Sequence, residues 1–146
     1  MAGEIVGVEY WTSLIGHDRH YFMERGCFVD CRGKLQIAAT SMFGYGVRII
    51  TQTHDISEGA ANAYAQNRCV RVDDYAWIAS FALLFGCHVG DHAIVSAGSV
   101  VSGVVVPSYC MVQGNPSCIV ARFNHELQKW VRLETPVACP VWKERK

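Results

Sequence analysis

The side chains able to move protons or hold metals are thinly spread in this 146-residue chain. Histidine is the one whose ordinary pKa suits it to take up and return a proton near neutrality. His54 stands in Thr53-His54-Asp55, at the end of an ordered run from Ile49 to Thr53 and just before a stretch with no periodic pattern. A general base placed there would sit at an edge beside a loop. Such an imidazole needs its second nitrogen held by an acceptor, which fixes the tautomer and stabilises the imidazolium. Asp55 is the nearest carboxylate. Adjacent residues on extended chain point to opposite sides, however, so Asp55 is equally suited to cap a turn, with Asp30 or a backbone carbonyl orienting the ring. On its own, His54 reads as a surface turn residue, and its surroundings must decide.

Metal chemistry finds weaker support. His88 and His92 are four residues apart and fall on different sides of a turn, and a tetrahedral catalytic zinc needs three strong protein ligands. The seven cysteines, at 27, 31, 69, 87, 110, 118 and 139, lack the paired spacing of a zinc ribbon or disulfide framework. They read as small apolar fillers in a reducing compartment. Thirteen basic and thirteen acidic residues cancel, so no long-range field draws the chain to nucleic acid or to an anionic membrane. No stretch reaches membrane-spanning length and Met1 to Gly7 has no basic, then apolar, leader pattern, so the cytoplasm is expected. An apolar fraction of 51% with only 18% charged residues excludes a disordered chain and suggests extensive buried or subunit-facing surface.

The elements that must position these residues follow a period of six. Ile37, Phe43 and Ile49 recur at that interval, then Val72 and Ile78, and after a register break Val89, Val95 and Val101. Small or branched residues follow four places later: Ser41, Val47, Thr53, Ala76, Ala82, Ala93, Ser99 and Val105. Neither a helix nor a simple half-buried strand has this period. A short strand and a tight turn every six residues does, with three such sides making a triangular coil of about 18 residues that stacks at roughly the strand separation of 4.8 Å. Gly44, Gly90 and Gly98 are expected to supply unusual turn dihedrals. The expectation is one domain over 1–146: an all-β parallel β-helix of hexapeptide repeats over about 29–116, interrupted by an excursion at 56–69, with a left-handed winding implied by the family that these repeats resemble. Val120, Phe123, Leu127, Trp130 and Val131 fall at helical spacing, which predicts a short C-terminal helix over 120–133 capping the last coil. Tyr10 to Arg25 reads as a helix or an irregular first coil, and the tail after Leu133, with Pro136 and Pro140, as extended.

The block Val89-Gly90-Asp91, Ala97-Gly98-Ser99-Val100-Val101, Pro107-Ser108-Tyr109 and Gly114-Asn115-Pro116 resembles the closing segment of the hexapeptide-repeat acetyltransferases, including sugar O-acetyltransferases and the colanic acid acetyltransferase group. Thr53-His54-Asp55 and Val72 to Ile78 keep that family's order, and the resemblance covers roughly residues 29 to 122. It implies an acetyl-CoA-dependent O-acetyltransferase acting on a hydroxyl of a sugar or similar small acceptor. It further implies a homotrimer with intersubunit active sites, no metal, His54 as general base and Asp55 as its companion. Cofactor contacts are implied at Trp77, Ser80, Ala97, Gly98, Ser99, Ser102, Gly114 and Arg122. Each has a plainer role open to it: a buried anchor for Trp77, ordinary coil packing for Ser80, steric need for small residues at Ala97-Gly98-Ser99. Where relatives carry cations after Gly-Asn-Pro, this chain has Ser117 and Cys118; Arg122 is the first cation, with Arg68 or Arg71 as possible helpers.

Two rivals share the repeat. The γ-class carbonic anhydrases resemble Ile78 to Asp91, including Gly86-Cys87, but Ser80 and Phe85 occupy two of the three positions at which they bind zinc. A non-catalytic trimeric scaffold is the other, favoured by the reduced basic signature.

Overall fold

The computed structural model describes residues 4–6 and 22–144. Most of Tyr10 to Arg25 lies outside them; within them Phe22–Met23 is a strand.

Three parallel sheets form the sides of a left-handed β-helix. The first contains Glu4–Val6, Phe28–Asp30, Arg48–Ile50, Leu83–Phe85 and Val100–Ser102. The second contains Phe22–Met23, Met42–Phe43, Trp77–Ile78, Ile94–Val95 and Cys110–Gly114. The third contains Leu35–Ile37, Val70–Val72, His88–Val89 and Val105–Val106. From Phe28 on, the chain visits them in the order first, third, second. From Phe28 on, the coil strands point apolar side chains into the prism: Val29, Ile49, Leu84 and Val101 from the first sheet, Phe43, Ile78, Val95 and Val112 from the second, Ile37, Val72, Val89 and Val106 from the third. All are at most 2% exposed.

Two corners keep the period and one does not. From Ile37 to Phe43, Val72 to Ile78 and Val89 to Val95 the step is six, as it is from Phe43 to Ile49, Ile78 to Leu84 and Val95 to Val101. The corner leading from the first sheet to the third takes five residues from Leu84 to Val89 but far more from Ile49 to Val72. Hence Asp74 and Asp91, on successive coils, are 17 residues apart, one fewer than three full hexapeptides. Ser41, Val47, Ala76, Ala82, Ala93 and Ser99 are buried, as expected. Thr53, within the variable corner, and Val105, just after it, are only half-buried.

The glycines divide by function. Gly98 has φ +69°, the left-handed turn expected of it. Gly44 and Gly90 do not adopt that conformation; what they allow is close approach between coils. A Cβ on Gly90 would lie 2.7 Å from the Ser108 backbone nitrogen, and one on Gly44 2.7 Å from that of Ser80. Where the third sheet turns into the second, non-glycine Tyr75, His92 and Tyr109 all have φ between 56° and 58°. Left-handed backbone costs about 1–2 kcal/mol per residue. Ring stacking offsets part of this, with centroids 4.9 Å apart for Tyr75 and His92 and 4.7 Å for His92 and Tyr109.

The predicted C-terminal helix is absent. Residues 120–133 belong to a β-hairpin in which Ser117–Asn124 pairs antiparallel with Cys110–Gly114, and Lys129–Ala138 pairs with Ser117–Asn124. The last coil leaves an unpaired strand edge, whose N–H and C=O groups a further strand satisfies and a helix cannot. Inside this hairpin burial alternates with period two through Ser117, Ile119 and Ala121, and Leu127 is exposed at the turn. The tail is extended, as anticipated, and continues across the third sheet: Val105 N–H donates to the Pro140 carbonyl and Trp142 N–H to that of Gly103.

Because the obstruction at Gly90 is backbone, it cannot be relieved by a rotamer change. Gly90→Ala is expected to destabilise the protein by about 1–3 kcal/mol, read as a lowered urea midpoint. An unchanged midpoint would show that the coils can separate there at no cost.

Candidate active site

The excursion is a hairpin rather than an open loop. Gln52–Asp55 pairs antiparallel with Tyr64–Asn67, and a short 3-10 turn at Ala60–Asn62 lies in the connection. The interruption therefore begins at Gln52, four residues before its expected start. Its root is locked by Asp30, which is fully buried. One oxygen of that carboxylate accepts from the N–H and Nε of Arg32 at 3.1 and 2.8 Å, and the other from the Thr51 N–H at 3.3 Å. The Thr51 hydroxyl donates to the Asp30 carbonyl at 2.7 Å and accepts the Gly33 N–H at 2.8 Å. Burial pushes the Asp30 carboxyl upward, but Arg32 and the two backbone N–H groups outweigh it and hold the carboxyl below its ordinary value.

His54 is exposed and lies opposite Ala65. Cross-strand partners share a face, so Gln52, His54, Ala65 and Asn67 line one side of the ribbon and Thr53, Asp55, Tyr64 and Gln66 the other. Among the described residues nothing hydrogen-bonds the His54 ring. Asp55 faces away and caps the turn: it accepts the Ser57 N–H at 2.9 Å and the Tyr64 hydroxyl at 3.3 Å. The hydrogen bonds from Ser57 lead in holding its carboxyl below the usual range. Asp30, the other carboxylate considered, is committed to Arg32 and Thr51.

The remaining anticipated residues fall at separate places. Ser80, Ala97, Gly98, Ser99 and Gly114 stack on successive coils where the second sheet turns into the first, and Gly98 N–H donates to the Ser80 carbonyl at 2.9 Å. Ala97 and Gly98 are exposed there, with nothing within 4 Å of a Cβ built on Gly98. Ser99 is buried and its hydroxyl accepts the Gly114 N–H at 3.2 Å; the Ser80 hydroxyl accepts the Tyr45 N–H at 3.1 Å. Trp77 is no buried anchor: at 47% exposed it lies on the outer face of the second sheet between Met42 and Ile94. Ser102 ends a first-sheet strand at the other corner, beside Phe85. Arg122 lies on the C-terminal hairpin opposite Cys110, at the far end of the strand from Gly114. Within one copy, then, the first sheet separates the Ser80–Gly98 edge from the edge that carries His54 and Ser102.

His88 and His92 take different surroundings. His88 Nε2 is 2.6 Å from the Asp73 carboxylate on the third sheet, whereas His92 is stacked between two tyrosines at a corner. Among the described residues no group of three or more His, Cys, Asp or Glu is placed to hold a metal ion. All seven cysteines are free thiols, and burial pushes the Cys31 thiol up to about 11.

One feature escaped the sequence reading. A cavity of about 500 Å³ lies against the outer face of the third sheet, lined by Lys34, Arg68, Arg71 and, from the tail, Trp142, Lys143 and Glu144. Arg68 and Arg71 are candidate phosphate partners from the sequence, but positions 34 and 143 are joined only by the return of the tail, which no local pattern announces.

The fold is shared with solved acetyltransferases, among them hexapeptide-repeat ones. A maltose O-acetyltransferase from Clostridium difficile 630 matches with a TM-score of 0.73 at 22% identity, over 86% of this chain; the chain spans 65% of that protein's length. A hexapeptide-repeat acetyltransferase from Vibrio cholerae matches with a TM-score of 0.69 at 20% identity, over 84% of this chain and 71% of its own. A galactoside acetyltransferase in complex with coenzyme A matches with a TM-score of 0.66 at 15% identity, over 92% of this chain and 66% of its own. No protein-family model matches the sequence, and no curated protein matches it significantly. No helix among the described residues is long and apolar enough to cross a membrane.

The root of the hairpin gives a pH test. Because the Asp30 pKa is depressed on folding, its contribution is present above the unfolded value of about 3.9 and is lost as pH falls through the lower folded value. Urea midpoints from pH 7 downward should show Asp30→Asn less stable than the parent at pH 7, with the gap narrowing as pH falls below the unfolded value of about 3.9. A constant gap would mean that the carboxylate charge is not what locks Thr51.

Proposed function

We propose that this protein is an acetyl-CoA-dependent O-acetyltransferase acting on a hydroxyl of a sugar or similar small acceptor, with His54 as general base. The observation that carries the reading is the position of His54: an exposed imidazole on a rigidly rooted hairpin, in a fold shared with acetyltransferases that include one bound to coenzyme A. In the reaction the acceptor hydroxyl gives its proton to the imidazole as its oxygen bonds to the thioester carbonyl carbon. The carbon–sulfur bond then breaks and the imidazolium returns the proton to the leaving thiolate. Asp55 supports the turn that carries His54, since it lies on the opposite face of the ribbon. The open backbone at Ala97 and Gly98 suits a pantetheine arm laid along the corner, with Trp77 and Ser80 beside it and Ser102 supplying a hydroxyl from the other edge.

The separation of those two edges favours a homotrimer in which each site combines the His54 edge of one copy with the Gly98 edge of the next. Seven free cysteines suit a reducing, cytoplasmic setting.

Thiol release from acetyl-CoA, assayed against a panel of sugars, should fall a hundredfold or more in His54→Ala, the usual cost of losing a general base. Unchanged turnover in that variant would sink the assignment. The shared site has its own test. Gly98→Trp, which fills the open corner, should be inactive alone, yet trimers assembled from mixed Gly98→Trp and His54→Ala subunits should regain activity. Failure of the mixture, when each variant is trimeric by itself, would place both edges in separate roles.

A further inference from the structure

We propose that the cavity against the third sheet binds the phosphate of a phosphorylated acceptor and thereby presents the acceptor's hydroxyl to His54; this rests on His54 being the base. Lys34, Arg68, Arg71 and Lys143 converge on the cavity, against one lining carboxylate, Glu144. In a chain whose charges cancel overall, that local excess of cations is a feature of this site alone among those described above. Asp73 engages Arg71 through Nε at 2.7 Å, and the terminal guanidinium nitrogens have no partner among the described residues. Such a fork suits a phosphoryl group, and the lysines add point charge. Glu144 shows that the site already accepts an anion: its carboxylate takes the Cys69 N–H at 2.9 Å, across 75 residues of sequence.

The position of the cavity chooses between the two phosphate-bearing molecules of the reaction. Asn67 lines it, and Asn67 and His54 share a face of the hairpin. They are diagonal neighbours, a relation that spans about 7–8 Å. A span of that order, about one sugar ring, separates the Asn67 wall of the cavity from the base. Coenzyme A carries its phosphates beyond the whole pantetheine arm, too far from the thioester to occupy a cavity this close to the base. The acceptor is therefore the better occupant, either as a simple sugar phosphate or with its sugar joined to a nucleotide; both present the same phosphoryl chemistry.

The test reads binding rather than turnover, so it stands apart from the acetyltransferase assay. Titration calorimetry at fixed ionic strength would use glucose 6-phosphate, glucose and acetyl-CoA as probes. Glucose 6-phosphate should bind and glucose should not. Lys34→Gln/Arg68→Gln should weaken glucose 6-phosphate at least tenfold and leave acetyl-CoA affinity unchanged. Glu144→Gln should tighten it severalfold, an outcome that misfolding cannot produce. With 13C-labelled histidine, glucose 6-phosphate should move the His54 ring resonance in the parent and not in the double variant. The proposal is overturned if glucose 6-phosphate fails to bind at millimolar concentration, if the variants bind it as the parent does, or if it binds without moving the His54 resonance. A parallel loss of acetyl-CoA affinity in the double variant would also overturn it, by assigning the cavity to the cofactor.

Discussion

In a coil of two- and three-residue strands, almost every backbone group must find its partner on the coil above or below. Trp77 N–H donates to the Ala93 carbonyl and Ala79 N–H to that of Val95, both at 2.9 Å, while Met42 and Gly44 make the same bonds to Ala76 and Ile78. A residue inserted into any such strand would turn its inward side chain outward and break the ladders on both sides. Extra chain can therefore enter only at a corner, and only where it brings its own hydrogen bonds. The corner from the first sheet to the third is where this protein spends that freedom. It varies in length from coil to coil, while the other two keep the step of six.

Two elements with their own hydrogen bonds meet at that corner. The hairpin of Gln52–Asp55 and Tyr64–Asn67 satisfies its backbone internally and is anchored by Asp30 through Thr51. The tail, after pairing as a strand with Ser117–Asn124, returns to bond Gly103 and Val105. Their meeting forms the cavity, because Asn67 and Arg68 stand at the hairpin's foot and Trp142 to Glu144 at the tail's end. The regular corners carry no comparable element, and their residues, Tyr75, His92 and Tyr109 among them, stack on one another.

Period and burial were legible because they are local. Each hexapeptide states its own inward residue, and Ile37, Phe43, Ile49, Val72, Ile78, Val89, Val95 and Val101 are all buried where the spacing put them. The C-terminal hairpin was misread for the same reason: Val120, Phe123, Leu127 and Trp130 fit a helical spacing, and only the open edge of Cys110–Gly114, a property of the fold, decides for strands. Strand pairing brings Phe123 opposite Trp130, with ring centroids 5.7 Å apart. Of the candidate site, the turn-capping alternative for Asp55 was readable and the bond to Ser57 realises it, whereas His54, expected just before the excursion, lies within its hairpin, because the pairing of Gln52–Asp55 with Tyr64–Asn67 joins segments that no local period links. The inward turn of the Ser99 hydroxyl and the gathering of Lys34 with Lys143 depend on contacts between distant coils, and no spacing encodes them.

An imidazole open to bulk water is a poor place to run acyl transfer, since water competes for the thioester and weakens every electrostatic contact in the site. The proposed role of His54 therefore calls for a cover, and exposed apolar side chains are present at both edges concerned. Ile56 and Tyr64 on the hairpin are 65% and 57% exposed; Tyr45 and Phe81, at the corner shared with Ser80 and Gly98, are 52% and 70% exposed. A single copy thus leaves large apolar groups in water at both edges that the proposed reaction needs, and nowhere does it bring those edges together. Contact between the hairpin edge of one copy and the Phe81 edge of another would bury both groups, exclude water from His54 and complete the site in one step. Assembly and catalysis would then rest on the same interface, so truncating Phe81 should weaken both together.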